Sequence, residues 1–488
     1  MKQIIQVIVL LACLSSTSAV LGKSSDSTTA EKIDTLVRAQ ADLDMFSGTV
    51  IVARHGKIVY GGAFGQADRD YGILNGMDTR YNIGSIGKTV TAVAVFQLIQ
   101  NGKLQLTDPL EKFFPECPFP EKHTITIEHL LTHSSGLGDY LEHKDYIAKI
   151  AELRSVTDAL PLVWDQKPSF EPGERYQYSN SGMLLLGGVI EKISGQSYPE
   201  YIRKNIFEPC GMTSSGIVQE DEVLPNRAIG YTQNVDGSFT SNILTVPAPS
   251  PAGGLRTTAP DLLKFDQALN GDLLLSKESK KIMYKPSRLR PETACGWEVK
   301  EKYGQHYVGH SGGTDGVEAY FYRFVDSGYT VIVLSNYTNG AEELTSDIMA
   351  LLFDQPYSIP TRVDANFRLG YRMQGEGKLE DAAKVFARNL STNPPHLLSL
   401  FFAANVRIRG GFELEKAIAY LDQFQQLAGK NDFPPPVIVW EQKGNAYAKL
   451  GKTVEALQSY KRALELNPAN SGLLEKIKKL ESKEKVKN

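Results

Sequence analysis

Ser85 and Lys88 stand one helical turn apart in Gly84-Ser85-Ile86-Gly87-Lys88, just ahead of an almost unbroken apolar run from Val90 to Ile99. If that run is a buried helix, its first turn puts a hydroxyl and an amine on one face, sheltered from water. A serine so placed can give its proton to the amine and attack an acyl carbon. The spacing alone says little, because Ser482 and Lys485 repeat it in a charged tail with no core around them. Two further groupings follow in the chain, Tyr178-Ser179-Asn180 and His310-Ser311-Gly312, and the three together point to a hydrolase.

Rival chemistries fit less well. Gly309-His310-Ser311-Gly312-Gly313 reads as the G-x-S-x-G of a nucleophile elbow. That turn needs a helix straight after its serine, then an acid and a histidine. Here Thr314-Asp315-Gly316 leads into alternating strand residues, and the sole later histidine is His396, in a different region. His129 and His133 have a zinc-like separation, but no glutamate follows the first and no third ligand is evident. Packing and loop hydrogen bonds are expected of them instead. Gly84-x-x-Gly87-Lys88-Thr89 imitates the end of a phosphate loop without its first glycine. No metal or cofactor is expected.

The elements that must position these residues come next. With 488 residues, 42 % hydrophobic and 22 % charged, the chain can form two or three domains around a large core. A net charge of −3 with no basic patch makes nucleic acid an unsuitable partner. Residues 1–22 read as an export signal: Lys2, a short apolar run from Ile4 to Ala12, and the small residues Thr17-Ser18-Ala19. Leu10-Leu11-Ala12-Cys13 also resembles a lipid-attachment site, although imperfectly. Residues 23–34 are expected as a polar linker, and no later run is long enough for a membrane helix. Of four cysteines, Cys13, Cys117, Cys210 and Cys295, the last three survive cleavage; they read as small buried hydrophobes, although Cys117 and Cys210 could pair.

Thr49 to Tyr60 predicts a hairpin about His55-Gly56, and Met183 to Ile193 a second apolar helix. His306 to Gly309, Val317 to Phe324 and Tyr329 to Leu334 read as strands. Strands at both ends of a helical middle predict an α+β, three-layer domain over 35–353 whose sheet joins both termini. Pro356 and Pro360 mark a linker over 354–362. Beyond it, Trp440, Gly444, Tyr447, Gly451, Ala456, Tyr460, Ala463 and Pro468 keep the tetratricopeptide spacing of a 34-residue unit. Gly370, Gly377, Ala382, Phe386 and Pro394 repeat it one register earlier, with a degenerate copy around Asn405 to Phe424 between them. Residues 363–488 are thus expected to be an all-α solenoid closed by a capping helix at Leu473 to Leu480.

In order and rough spacing the three motifs resemble the serine β-lactamase and penicillin-binding superfamily, and Tyr-x-Asn resembles its class C branch. His129-Leu130-Leu131-Thr132-His133-Ser134-Ser135-Gly136-Leu137, Phe170-Glu171-Pro172-Gly173 and Ala252-Gly253-Gly254-Leu255 are similar to it as well. The resemblance implies a β-lactamase/transpeptidase-like fold with Ser85 as the acylated nucleophile of a peptide (of D-amino-acid or peptidoglycan type), ester or β-lactam acyl group. Lys88 and Tyr178 would share proton handling. For Lys88 to act as a base its pKa must fall to near 7, at a cost of about 4 kcal/mol, through burial beside a second cation. Alternatively it stays charged and holds Tyr178 as the phenolate. Asn180 would bind the substrate amide or place Lys88, and His310, Gly312 and Gly313 would line the substrate side. The N–H groups of Ser85 and Gly313 would form the oxyanion hole. β-Lactamases usually carry lysine where His310 stands, so weak β-lactam hydrolysis is expected. Glu171 and Glu174 are read as solvated. A different class of function stays open: a silent scaffold or sensor whose repeats bind a protein partner.

Overall fold

A computed structural model describes residues 25–487, apart from 393, 430 and 431. The expected export segment and Cys13 lie outside the described residues. Helix α1 (Ser25–Asp42) occupies most of the stretch expected as a polar linker. The correction has a simple cause: Ile33, Leu36 and Val37 form one helical stripe and are fully buried.

That stripe lies on a six-stranded antiparallel sheet. Its strands are β1 (Gly48–Arg54), β2 (Lys57–Phe64), β3 (Glu298–Lys302), β4 (Gln305–Thr314), β5 (Val317–Phe324) and β6 (Tyr329–Ser335), in the order β2-β1-β6-β5-β4-β3. β1 and β6 run side by side from Gly48 opposite Ser335 to Arg54 opposite Tyr329. The sheet therefore joins the two ends of the domain, as the sequence predicts. β5 has the expected bounds, but β4 runs on past the expected end at Gly309 and carries His310, Gly312 and Gly313 within the strand.

Alternation along the central strands makes two cores. Val50, Val52, Val331 and Val333 face α1 and a later helix, whose Leu344 and Ile348 complete that layer. Ile51, Ala53, Ile332 and Leu334 face the other way, onto helices α2 (Gly87–Gln100), α3 (Asn180–Ser194) and α4 (Ala259–Asn270). α2 is buried on nearly every side, which suits a helix apolar all round its circumference. The first layer's closing helix is α5 (Glu342–Leu352).

An exposed coil over 355–361 leads into three helix pairs: α6 (Arg362–Gly375) with α7 (Leu379–Arg388), α8 (Leu397–Gly410) with α9 (Leu414–Leu427), and α10 (Pro436–Lys449) with α11 (Thr453–Leu466). Helix α12 (Ser471–Lys487) closes the array, burying Leu473 and Ile477 against α11. Among the described residues no helix is long and apolar enough to cross a membrane. Cys117, Cys210 and Cys295 are free thiols; Cys117 and Cys295 are buried, as small hydrophobes would be.

In the first and last pairs a glycine lets the helices approach an aromatic ring. A Cβ on Gly370 would stand 2.7 Å from the Phe386 ring, and one on Gly444 would stand 2.5 Å from Tyr460. Gly444→Ala is expected to destabilise the last pair by about 1–3 kcal/mol, as overpacking does. Urea unfolding of the variant, followed by far-UV circular dichroism, measures it.

Candidate active site

Ser85 lies in a single 3-10 turn, Gly84–Ile86, that runs directly into α2 at Gly87. The expected helix start is thus one tight turn early. It brings the Ser85 backbone against β4: a Cβ on Gly312 would fall 2.1 Å from the Ile83 carbonyl oxygen and 2.9 Å from the Ser85 nitrogen. Nothing larger than glycine fits at 312.

Lys88 is wholly buried one turn into the helix. Its Nζ lies 2.8 Å from Ser85 Oγ and donates to Asn180 Oδ1 at 2.7 Å and to the Ala252 carbonyl at 2.5 Å. Tyr178, from the loop before α3, donates its hydroxyl to the same Ser85 Oγ at 2.8 Å. The Lys88 Nζ also sits 4.8 Å from the Tyr178 ring centre. Lys88 and Tyr178, from two separate motifs, therefore meet at the Ser85 oxygen, with Asn180 bonded to Lys88 behind it. Burial drives the Lys88 amine down to about 7, while the negative charge of Asp139 resists. The second cation expected from the sequence is not needed; loss of water suffices. Burial also pushes the Tyr178 phenol above its ordinary value of 10, against the bond to Ser85, so the phenolate is disfavoured.

Asn180 opens α3 and is oriented from behind. Its Nδ2 donates to Asp139 Oδ2 at 2.7 Å, and its backbone N–H reaches the same oxygen at 3.2 Å. Asp139 Oδ1 in turn accepts from the Leu141 N–H at 3.0 Å. With its amide nitrogen committed, Asn180 can turn only its oxygen toward Lys88. Sequence reasoning missed Asp139, which stands two residues beyond the stretch 129–137 that carried the resemblance.

His133 grips the Tyr178 segment at three points. Its ring centre lies 4.5 Å from that of Tyr178, its carbonyl accepts the Gln177 N–H at 2.9 Å, and its Nδ1 accepts the Ser179 N–H at 3.3 Å. It does so in a left-handed backbone conformation, φ +54°. Burial, with the charges of Lys88 and His310, lowers its pKa to about 3, so the ring stays neutral and Nδ1 stays an acceptor. His129 caps its own short helix with Thr126. The two histidines turn to different tasks, which agrees with the packing and hydrogen bonds expected of them.

On the far side, His310 is buried and its Nδ1 donates to the Ser311 carbonyl at 2.5 Å. Burial lowers its pKa to about 4 although Glu298 lies 4.0 Å away, so it is neutral at pH 7. Glu298 occupies β3 opposite Gly309 and accepts from the Ser311 hydroxyl at 3.0 Å, Lys300 at 2.7 Å and the Tyr322 hydroxyl at 3.1 Å. Burial alone would raise its carboxyl; His310, Lys300 and Ser311 together hold it below the ordinary range. No local pattern singled this glutamate out. Glu171 and Glu174 are exposed, as read. The elbow reading fails because Ser311 lies mid-strand in β4. A small cleft of about 60 Å³ opens over Ser85, walled by Tyr140, Leu141, Pro247, Ala248, Gly313 and Thr314.

The model of the beta-lactamase family matches residues 33–354, two-thirds of the chain. The chain belongs to that family. A tetratricopeptide-repeat model matches 437–470, the last of the three helix pairs. Penicillin-binding protein 4* of Bacillus subtilis (strain 168) is 31% identical over 355 residues, covering 68% of this chain and 77% of its own length. Among solved structures, the penicillin binding protein from Bacillus halodurans aligns with a TM-score of 0.60 at 31% identity, over 65% of this chain and 98% of that one. The octameric penicillin-binding protein homologue from Pyrococcus abyssi aligns with a TM-score of 0.59 at 27% identity, over 70% and 81%. Family and fold together make the chain a serine hydrolase with an added repeat region of a type suited to binding protein.

His133→Ala removes the ring beneath Tyr178 and the acceptor for Ser179. It is expected to lower kcat by about ten- to a hundredfold with KM little changed. His133→Asn keeps an acceptor and tolerates the left-handed backbone, and should recover most of the loss in the same steady-state assay.

Proposed function

We propose that Ser85 is the acylated nucleophile of a peptide- or ester-directed hydrolase and that Lys88 is its base. One observation carries the reading: Ser85 Oγ lies within hydrogen-bond reach of both Lys88 Nζ and the Tyr178 hydroxyl. A neutral amine has two protons and one lone pair. Asn180 Oδ1 and the Ala252 carbonyl can only accept, so they take the two protons and leave the lone pair facing Ser85.

The proton of Ser85 then passes to Lys88 as Oγ bonds to the substrate carbonyl carbon. The oxygen's charge is met by the N–H groups of Ser85 and Gly313. Tyr178 hands its phenolic proton to the leaving nitrogen or oxygen, and the phenolate takes back the proton that Lys88, beside its ring, received from Ser85. A water in the place of the leaving group then gives a proton to Lys88 as its oxygen bonds to the acyl carbon, and Lys88 passes that proton to Ser85 Oγ as the ester bond breaks. The acid fits its task because Tyr178 stays protonated at neutral pH.

The neutral His310 and the ionised Glu298 behind it support a preference for uncharged leaving groups over the carboxylate of a β-lactam. The resemblance carried by the three motifs keeps peptidoglycan-type D-amino-acid peptides within the substrate class. Export through residues 1–22, with or without a lipid at Cys13, would place the enzyme where such peptides occur.

Two measurements test this. Intact-protein mass after a fluorophosphonate or acyl-ester probe should show one adduct in the wild type and none in Ser85→Ala; its absence from both would favour the scaffold. In steady-state kinetics a p-nitrophenyl ester, whose leaving group bears no carboxylate, should exceed nitrocefin in kcat/KM, and the reverse order would overturn the substrate assignment.

The pH dependence has a definite sign. Below about 7 the Lys88 amine carries its extra proton and cannot accept another; above it the base is free. kcat/KM should rise about tenfold between pH 6 and pH 8. A profile flat to pH 8 and rising above pH 10 would give the role to the Tyr178 phenolate instead.

A further inference from the structure

We propose that the first tetratricopeptide repeat braces the end of β4 that presents Gly313, with Arg372 and Arg388 as its positioning residues. The inference rests on the reading of Gly313 as an oxyanion donor.

A small hairpin of the hydrolase domain, Tyr231–Gln233 paired with Phe239–Ser241, stands between the repeat and the site. Arg372 of α6, only 10% exposed, donates to the Gln233 carbonyl, and its other arm holds Glu376 at 3.0 Å. Arg388, at the end of α7, donates to the Val235 carbonyl. Val235 itself packs into the apolar cluster of the repeat, with Leu369, Met373 and Phe386. The hairpin tip is therefore seated in the repeat by two guanidinium groups and one aliphatic side chain. Nearby, Arg368 ties α6 to the domain through Glu343 at 2.8 Å and the Asn339 carbonyl at 2.6 Å.

The other end of the hairpin holds the turn that follows β4. Tyr231 exchanges backbone bonds with Asn336 and Thr338, at 2.8 and 3.0 Å. The Thr232 and Thr338 hydroxyls meet at 2.6 Å, and Thr338 Oγ1 accepts the Gly316 N–H, also at 2.6 Å. Asn242, just past the hairpin, donates to the Asp315 carbonyl at 2.6 Å. Asp315 and Gly316 form the turn between β4 and β5, two residues beyond Gly313. Burial lowers the Arg372 pKa, opposed first by Glu376 and to a smaller extent by the charge of Asp315. A continuous path of hydrogen bonds thus joins the repeat to the strand end.

An oxyanion donor is useful only at the right place, and a displacement well under a hydrogen-bond length weakens it. Its loss is felt in the transition state and not in substrate binding, so it falls on kcat. The same path would let a protein seated on the repeats change turnover without touching substrate.

The test uses the full chain with a p-nitrophenyl ester, the active fraction being counted by fluorophosphonate labelling. Arg372→Ala/Arg388→Ala should lower kcat per labelled site about tenfold while KM stays within about twofold. Thr338→Val, which cuts the path at its far end without touching the repeat, should do the same, and Thr338→Ser should restore the rate. Wild-type kcat per labelled site in the double variant, with or without a lower Tm, overturns the brace alone. A wild type with no Ser85-dependent adduct overturns the hydrolase reading and the brace with it.

Discussion

A lysine cut off from water needs partners that suit it in both charge states, and the architecture around Lys88 follows from that requirement. Displacing its pKa from 10.5 to about 7 corresponds to a burial penalty on the order of 5 kcal/mol. Ser85, Asn180 and Ala252 supply three acceptors for the ammonium form, and two of them remain good acceptors when one proton leaves. Asp139 is held one residue away, behind Asn180, where it moderates the penalty without pairing directly. Direct contact with a carboxylate would hold the amine charged.

The second constraint is steric. Ser85 faces the edge of β4 at a separation that excludes any side chain at 312, so the helical layer and the sheet must register to within a fraction of an ångström there. The tight turn of Gly84–Ile86, the seating of α2 between sheet and helices, and the antiparallel ladder of β4 with β5 all converge on this contact. Packing far from the substrate thereby becomes part of the chemistry.

The pairing of Ser85 with Lys88 was legible from helical spacing, whereas Tyr178 and Asn180 were placed beside them by the resemblance of the motifs to a known family. Asp139 and Glu298 were not. Asp139 acts on a residue 41 positions later, and Glu298 reaches Ser311 across a strand pairing, so neither leaves a local pattern. His133 was visible as a histidine, but its grip on Tyr178 depends on a left-handed turn that spacing does not reveal. The helix over 25–34 was hidden by the polar stretch Ser24 to Thr29, although Ile33, Leu36 and Val37 already carry the helical period. In the repeats, the outer pairs were readable because Gly370 with Phe386 and Gly444 with Tyr460 keep the repeat spacing that their contacts require; in the middle copy Asn405 and Leu421 stand at those positions, so only a degenerate register was legible.

One seam bears on how the molecule comes into being. Ser335 donates its hydroxyl to the Ser47 carbonyl, 288 residues earlier, inside the ladder that unites the first and last long strands. A nascent chain leaving the ribosome cannot close this sheet until nearly the whole catalytic unit has been synthesised, and it must meet the entropy of a very large loop before the reward arrives. The helical array made afterwards depends on neighbours close in sequence and can form quickly. A fast-folding segment thus follows a slow one in the chain, and the slow one sets the time to maturity.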